Sequence, residues 1–187
     1  MRKLLAKAFL KGTGWQLMGR RPAARRYVLI AAPHTSNWDL AYLLACAWSL
    51  EVRVAWMGKH QLFRGPMGTI MRSLGGVPVR RDRRNDLVQQ MADLINQSDS
   101  IALTVPAEGT RDYVAHWKSG FYQIALRAEV PIVLGYLDYS RRLGGFGPEI
   151  IPTGDIGQDM DEIRAFYGDK RGRHPELEGE VRLKEET

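Results

Sequence analysis

The chain has a single cysteine, Cys46, so no internal disulfide can form and a reducing compartment is expected. Cys46 falls in an apolar helical pattern, which predicts a packed thiol rather than a reactive one. No apolar run approaches the roughly 20 residues that cross a bilayer. The longest, Ala41–Leu50, is broken by Ser49 and bounded by Asp39 and Glu51. The first residues lack a signal peptide's unbroken apolar core, because Lys3, Lys7 and Lys11 interrupt them. There is no G-x-S-x-G segment, which argues against a serine hydrolase. His34, His60, His116 and His174 lack metal-ligand spacing, so no metal is expected, and the last three are expected on loops or the surface. Acid is missing from residues 1–38, which carry Arg2, Lys3, Lys7, Lys11, Arg20, Arg21, Arg25 and Arg26 before Asp39 appears. A front this basic calls for an anionic partner: phospholipid head groups, a phosphorylated co-substrate or nucleic acid.

What is present fits a globular domain. Hydrophobic residues make up 44% of the 187 and charged residues 26%, enough for one domain with its own core. Residues 2–11 read as an amphipathic helix, with Leu4, Leu5, Ala8 and Phe9 at helical spacing beside a lysine stripe. With Trp15 close by, it suits an anionic membrane surface; the alternative is a helix packed on its own domain. Strands are then predicted at Tyr27–Ala32, Val52–Met57, Val77–Val79, Ile101–Val105 and Ile132–Tyr136. Helices alternate with them at Asn37–Leu50, Pro66–Leu74, Asp86–Asn96 and Gly120–Ala128, with a last helix at Asp159–Tyr167. The pattern predicts an α/β fold: one domain, a mainly parallel or mixed sheet flanked by helices, with an N-terminal amphipathic helix. Leu143–Pro148, rich in glycine, reads as a turn or loop that can precede an edge strand at Glu149–Ile151, and the polar segment from Arg171 as a loose tail.

Three segments carry chemistry. Pro33-His34-Thr35-Ser36-Asn37-Trp38-Asp39 lies where an apolar strand gives way to a helix, the usual place for a ligand in an α/β sheet. His34 can serve as a base if Asp39 turns back to fix its tautomer. The same spacing also describes a helix start, with Ser36 as N-cap and Asp39 as a variant capping-box acid. Next, Ala107-Glu108-Gly109-Thr110-Arg111 follows the strand Ile101–Val105; Arg111 can grip a phosphate and Glu108 can orient it or bind a hydroxyl. A surface turn with a local ion pair is the alternative. Finally, Gly75-Gly76-Val77-Pro78-Val79-Arg80-Arg81-Asp82-Arg83-Arg84 places four arginines in five positions, an anion site or a solvated basic loop. Trp56, Met57, Phe63, Met67 and Met71 are candidates to line an apolar groove, although a helical methionine stripe is more often plain core.

The order H-T-S-N-W-D, G-G-V-P-V-R-R, E-G-T-R and V-P-I-V resembles the lysophosphatidate and glycerolipid acyltransferase family, across roughly Pro33 to Leu137. The resemblance implies that His34 is the general base, Asp39 its orienting partner and Arg81 the arginine that holds an acceptor phosphate. It implies that Glu108, Gly109, Thr110 and Arg111 bind the acceptor. Pro131, with Trp56, Met57 and Phe63, would lie along the acyl or carrier path. No cofactor is implied beyond the co-substrate, acyl-coenzyme A or an acyl-carrier protein. Three departures stand out: Ala107 where the family has proline, Arg80 where it often has an acid, and no transmembrane span before the first block. The expected organisation is residues 1–26 as a basic membrane-associating segment, 27–170 as the acyltransferase domain and 171–187 as a polar tail. The protein would be cytoplasmic, peripheral on the inner face of the membrane, and would transfer a fatty acyl group to a hydroxyl of a lysophospholipid or glycerolipid-like acceptor. The competing reading is a basic nucleic-acid- or anionic-lipid-binding module without catalysis. Nucleic acid is not expected, because the aromatics do not interleave with the basic residues as a stacking platform needs.

Overall fold

The computed structural model describes residues 1–79 and 84–186. The basic run Arg80–Arg84 therefore falls largely outside the described residues, and Arg81 with it. The chain opens with α1 (Arg2–Gly12), which buries Ala6 and Leu10 while Leu4 and Leu5 stay 73% and 64% exposed. The helix is thus packed on its own domain along one face and bare along another. β1 (Gln16–Gly19), β2 (Arg26–Ala32), α2 (Trp38–Ser49) and β3 (Val54–Lys59) follow. A short 3₁₀ turn at His60–Phe63 leads into α3 (Gly65–Ser73), then β4 (Gly76–Val79), α4 (Arg84–Asn96) and β5 (Ile101–Pro106). The remaining elements are β6 (His116–Trp117), α5 (Gly120–Ala128), β7 (Ile132–Asp138), β8 (Leu143–Ile150), α6 (Ile156–Tyr167) and β9 (Glu180–Leu183).

A seven-stranded sheet runs in the order β1-β8-β7-β2-β5-β3-β4, parallel throughout except where β7 and β8 form an antiparallel pair. The α/β fold is as the alternating pattern predicts. Side chains along β2 divide by their two-residue period. Val28, Ile30 and Ala32 join the larger core with α4, α5 and α6, whereas Tyr27 and Leu29 face α2. In α4 Met91 and Ile95 are buried, and Leu87 and Leu94 pack at the margin of the core. Cys46 is buried at 1% exposure, and burial pushes its thiol pKa up to about 12, an inert group.

Three expectations need correction, those for Leu143–Pro148, for the segment from Arg171 and for His116, and one strand was not foreseen. Leu143–Pro148 is part of the continuous strand β8, which runs without a loop to Ile150. Its glycines serve close packing rather than turning: a Cβ on Gly147 would sit 2.4 Å from the Phe166 ring. Gln16–Gly19 is an edge strand paired with β8, too short and irregular in sequence to announce itself. The segment from Arg171 is ordered against the domain rather than loose. β9 pairs with β6, Leu183 is fully buried and Arg164 Nε donates to the Val181 carbonyl at 3.0 Å. His116 likewise lies in a strand, half-buried, while His60 and His174 are exposed.

Candidate active site

The C-terminal ends of the parallel strands converge on a cleft of about 1080 Å³. Beyond the end of β2 the chain turns through Pro33–Asn37 into α2, and this turn is held by one carboxylate. Asp39 Oδ2 accepts from His34 Nδ1 at 3.1 Å, from the Thr35 N–H at 3.0 Å and from the Ser36 N–H at 2.9 Å. Asp39 Oδ1 accepts from the Tyr139 hydroxyl at 2.7 Å. Ser36 Oγ accepts from the Trp38 N–H at 3.2 Å. The two alternatives for this segment are therefore one structure: the capping acid that satisfies the helix start is also the partner of the histidine. A carboxylate only accepts, so Nδ1 carries the proton and Nε2 keeps the free lone pair. The His34 side chain is 21% exposed and Asp39 only 7%, leaving the imidazole reachable and its carboxylate partner shielded.

Behind the turn stands Glu108. Its Oε1 accepts from the His34 backbone N–H at 3.1 Å, and its Oε2 is buried without a partner. Burial raises its pKa above the ordinary carboxylate value, opposed by hydrogen bonds that favour the charge. Glu108 is 3% exposed and is absent from the cleft wall, so it braces the histidine turn instead of pairing with Arg111. Gly109 has φ +70°, and the Lys118 side chain lies across it, 2.8 Å from where a Cβ would stand. The left-handed backbone favours glycine there, and its missing side chain leaves room for the lysine. Lys118 reaches the cleft alongside Thr110 and Arg111, with Lys59 from the end of β3 on the same wall. These exposed cations rim a floor made by Leu40, Leu43, Trp56, Met57, Met71 and Leu137. The Trp56 indole N–H is satisfied by the Leu74 carbonyl at 3.0 Å, so its ring serves as apolar surface.

The structure thus brings together His34, Asp39, Gly109, Thr110, Arg111, Trp56 and Met57. It does not bring Phe63 or Pro131 to the cleft. Phe63 is 5% exposed and packs beneath Trp56, with ring centroids 6.0 Å apart, where Gly58 and Gly76 make room for it. Pro131 stands at the opposite end of the sheet beside Arg25 and Arg26. Met67 is 53% exposed outside the cleft. Lys59, Lys118 and Tyr139 were not singled out in the sequence. Lys59 and Tyr139 belong to the carboxyl ends of strands, the region where ligands of open α/β sheets collect, and that placement is the signal that could have found them.

An apolar floor, a cationic rim and a histidine with a free Nε2 suit attack by a hydroxyl on a carbonyl whose carrier or acceptor is anionic and whose acyl part is apolar. The acyltransferase family model matches residues 16–134, well over half of the chain. The human 1-acyl-sn-glycerol-3-phosphate acyltransferase beta is 32% identical over 120 residues, which cover 61% of this chain and 42% of the human protein. The chain therefore spans less than half the length of that relative. The crystal structure of the 1-acyl-sn-glycerophosphate (LPA) acyltransferase PlsC from Thermotoga maritima superimposes with a TM-score of 0.61 at 16% identity. That superposition covers 90% of this chain and 74% of the other, a likeness of fold.

Proposed function

The chain belongs to the acyltransferase family, and from that premise we propose that it transfers a fatty acyl group from a thioester to the hydroxyl of a lysophospholipid or glycerolipid-like acceptor. The observation that carries the proposal is the His34–Asp39 pair, with Nδ1 committed to the carboxylate and the ring on a cleft wall between cations and an apolar floor. His34 Nε2 removes the acceptor's hydroxyl proton as that oxygen attacks the thioester carbonyl. The tetrahedral oxyanion then collapses, expelling the thiolate, which recovers the proton from the imidazolium. An ester and a free thiol result, with no covalent enzyme intermediate. The Ser36 N–H is committed to Asp39 and is not free to steady the oxyanion. The acyl donor is acyl-coenzyme A or an acyl-carrier protein.

Among the described residues no helix is long and apolar enough to cross a membrane. The bare leucines of α1 beside Lys7 and Lys11 support peripheral docking on an anionic inner-face surface. Because Ala6 and Leu10 are core residues, Leu4 and Leu5, not the whole helix, are the positions at which to test it.

Thiol release from palmitoyl-coenzyme A with a panel of lysophospholipids tests the reaction. Acceptor-dependent release is expected; a folded protein that releases no thiol with either donor class and any acceptor would sink the proposal. Arg111→Ala should raise KM about tenfold for phosphate-bearing acceptors while leaving monoacylglycerol unaffected, since a guanidinium–phosphate contact is worth a few kcal/mol at most in an exposed rim. An equal effect on both acceptors would remove Arg111 from the phosphate site.

Tyr139 acts through Asp39. Its ring is wedged edge-on against Trp15 and Tyr42, at centroid distances of 4.9 Å and 5.8 Å, which aims the hydroxyl. Tyr139→Phe keeps the ring and deletes the donor. A fall of about tenfold in kcat with KM unchanged is expected from the loss of one hydrogen bond to a charged group. A change in KM alone would make Tyr139 an acceptor contact.

A further inference from the structure

α3 is a helix with almost no partner. Of its nine residues only Gly68 is buried, because the helix rests directly on the 3₁₀ turn: a Cβ on Gly68 would meet the Phe63 carbonyl oxygen at 2.2 Å. With Gly68 fixed inward, the 100° step per residue places Met71, Met67 and Ile70 in one arc spanning roughly 100°. Met71 lines the cleft, and the arc then runs outward through Met67, 53% exposed, to Ile70, 51% exposed. Leu62 stands next to it, also on the cleft and 45% exposed. The apolar floor of the cleft therefore continues without a break onto the outer surface.

The charges this segment contributes have one sign: from Val52 to Arg81 the sequence contains no Asp or Glu. Arg64 is the N-cap of α3 and Arg72 lies in its last turn, its guanidinium 5.6 Å from the centre of the Phe63 ring, while Lys59 stands at the cleft rim. Isolated exposed leucines are ordinary on a soluble protein, but an aliphatic ridge with cations of its own segment beside it and joined to a cavity is not. Its chemistry matches the boundary of a bilayer, where aliphatic side chains enter the acyl layer and Arg and Lys meet anionic head groups.

We infer that the ridge Leu62–Met67–Ile70 is a second membrane-docking surface, separate from α1, which seats the cleft mouth on an anionic bilayer so that a lipid passes from the leaflet along Met71 into the cleft. Its use as a lipid portal rests on the acyl-transfer proposal, whereas the docking does not. An acidic carrier protein is disfavoured as the occupant because charge alone would recruit it and leave the aliphatic ridge unexplained.

The test measures binding without substrate, using the full chain and sedimentation with phosphatidylglycerol–phosphatidylcholine vesicles or phosphatidylcholine alone. Wild type should bind the anionic vesicles preferentially. Met67→Asp/Ile70→Asp should weaken that binding about tenfold or more, Arg64→Gln less, and Met67→Leu/Ile70→Leu not at all. Both aspartates fall on exposed positions outside the cleft, so turnover of a soluble short-chain acceptor should persist. The inference is overturned if the aspartate variant binds vesicles like wild type, or if only Leu4→Asp/Leu5→Asp releases the protein. It is equally overturned if wild type is a dimer that the aspartates dissociate without altering vesicle binding, or if they cost affinity for acyl-carrier protein and none for vesicles. Absence of turnover by wild type with every acceptor would count against acyl transfer and leave the docking result intact.

Discussion

His34→Ala should lower acceptor-dependent thiol release about a thousandfold or more while leaving the protein folded. The size of the loss follows from the role: without a base, the acceptor hydroxyl must lose its proton to water as it attacks. The fold should survive because little else depends on the ring. Asp39 keeps the Thr35 and Ser36 N–H groups and the Tyr139 hydroxyl, and the backbone N–H of residue 34 still reaches Glu108. Thermal unfolding within a few degrees of wild type, together with lost turnover, separates chemistry from stability. Release that persists in His34→Ala would mean that the thioester is opened by another group and that the His34–Asp39 contact is architectural.

Much of this site was legible in the sequence because its signals are local. The Pro33–Asp39 turn, the Glu108–Arg111 loop and the strands before them are each written in a few adjacent residues, and β2 and β5 pair directly, which forces both loops to one edge. What stayed hidden depends on contacts distant in the chain. Tyr139 donates to Asp39 from one hundred positions away, and nothing near Tyr139 distinguishes it from a surface tyrosine. The resemblance implies that Glu108 binds the acceptor, and nothing in the adjacent residues announces that Ala107 is fully buried and that Glu108 turns inward with it. The glycines of β8 read as a loop because a sequence gives no way to tell a glycine needed for φ from one needed to admit a phenylalanine ring. The segment from Arg171 looked loose because its polar residues bond to groups on the distant Pro33–Asp39 turn. His174 N–H donates to Thr35 Oγ1 at 3.1 Å and the Arg173 guanidinium lies 6.0 Å from the centre of the Trp38 ring.

The most informative substitution is at Asp39, because the residue does two things that can be taken apart. In Asp39→Asn one oxygen must still serve the His34 Nδ1–H and the Thr35 and Ser36 N–H groups, so the amide nitrogen points at Tyr139, whose hydroxyl can rotate to accept. The turn stays satisfied and the melting temperature should stay close to wild type. The negative charge that steadies the imidazolium is gone, however, and kcat should fall about 10²- to 10³-fold with KM little changed. Asp39→Ala removes both functions. It strands two buried backbone N–H groups and the Tyr139 hydroxyl, each unmade bond costing about 1–3 kcal/mol, so this variant should lose activity and also unfold at a markedly lower temperature. A parallel loss of stability in both variants would show that the charge itself holds the turn. Full activity in Asp39→Asn would reduce Asp39 to a helix cap and leave His34 without an electrostatic partner, in which case the base would owe its orientation to the Pro33–Ser36 backbone and the Glu108 brace alone.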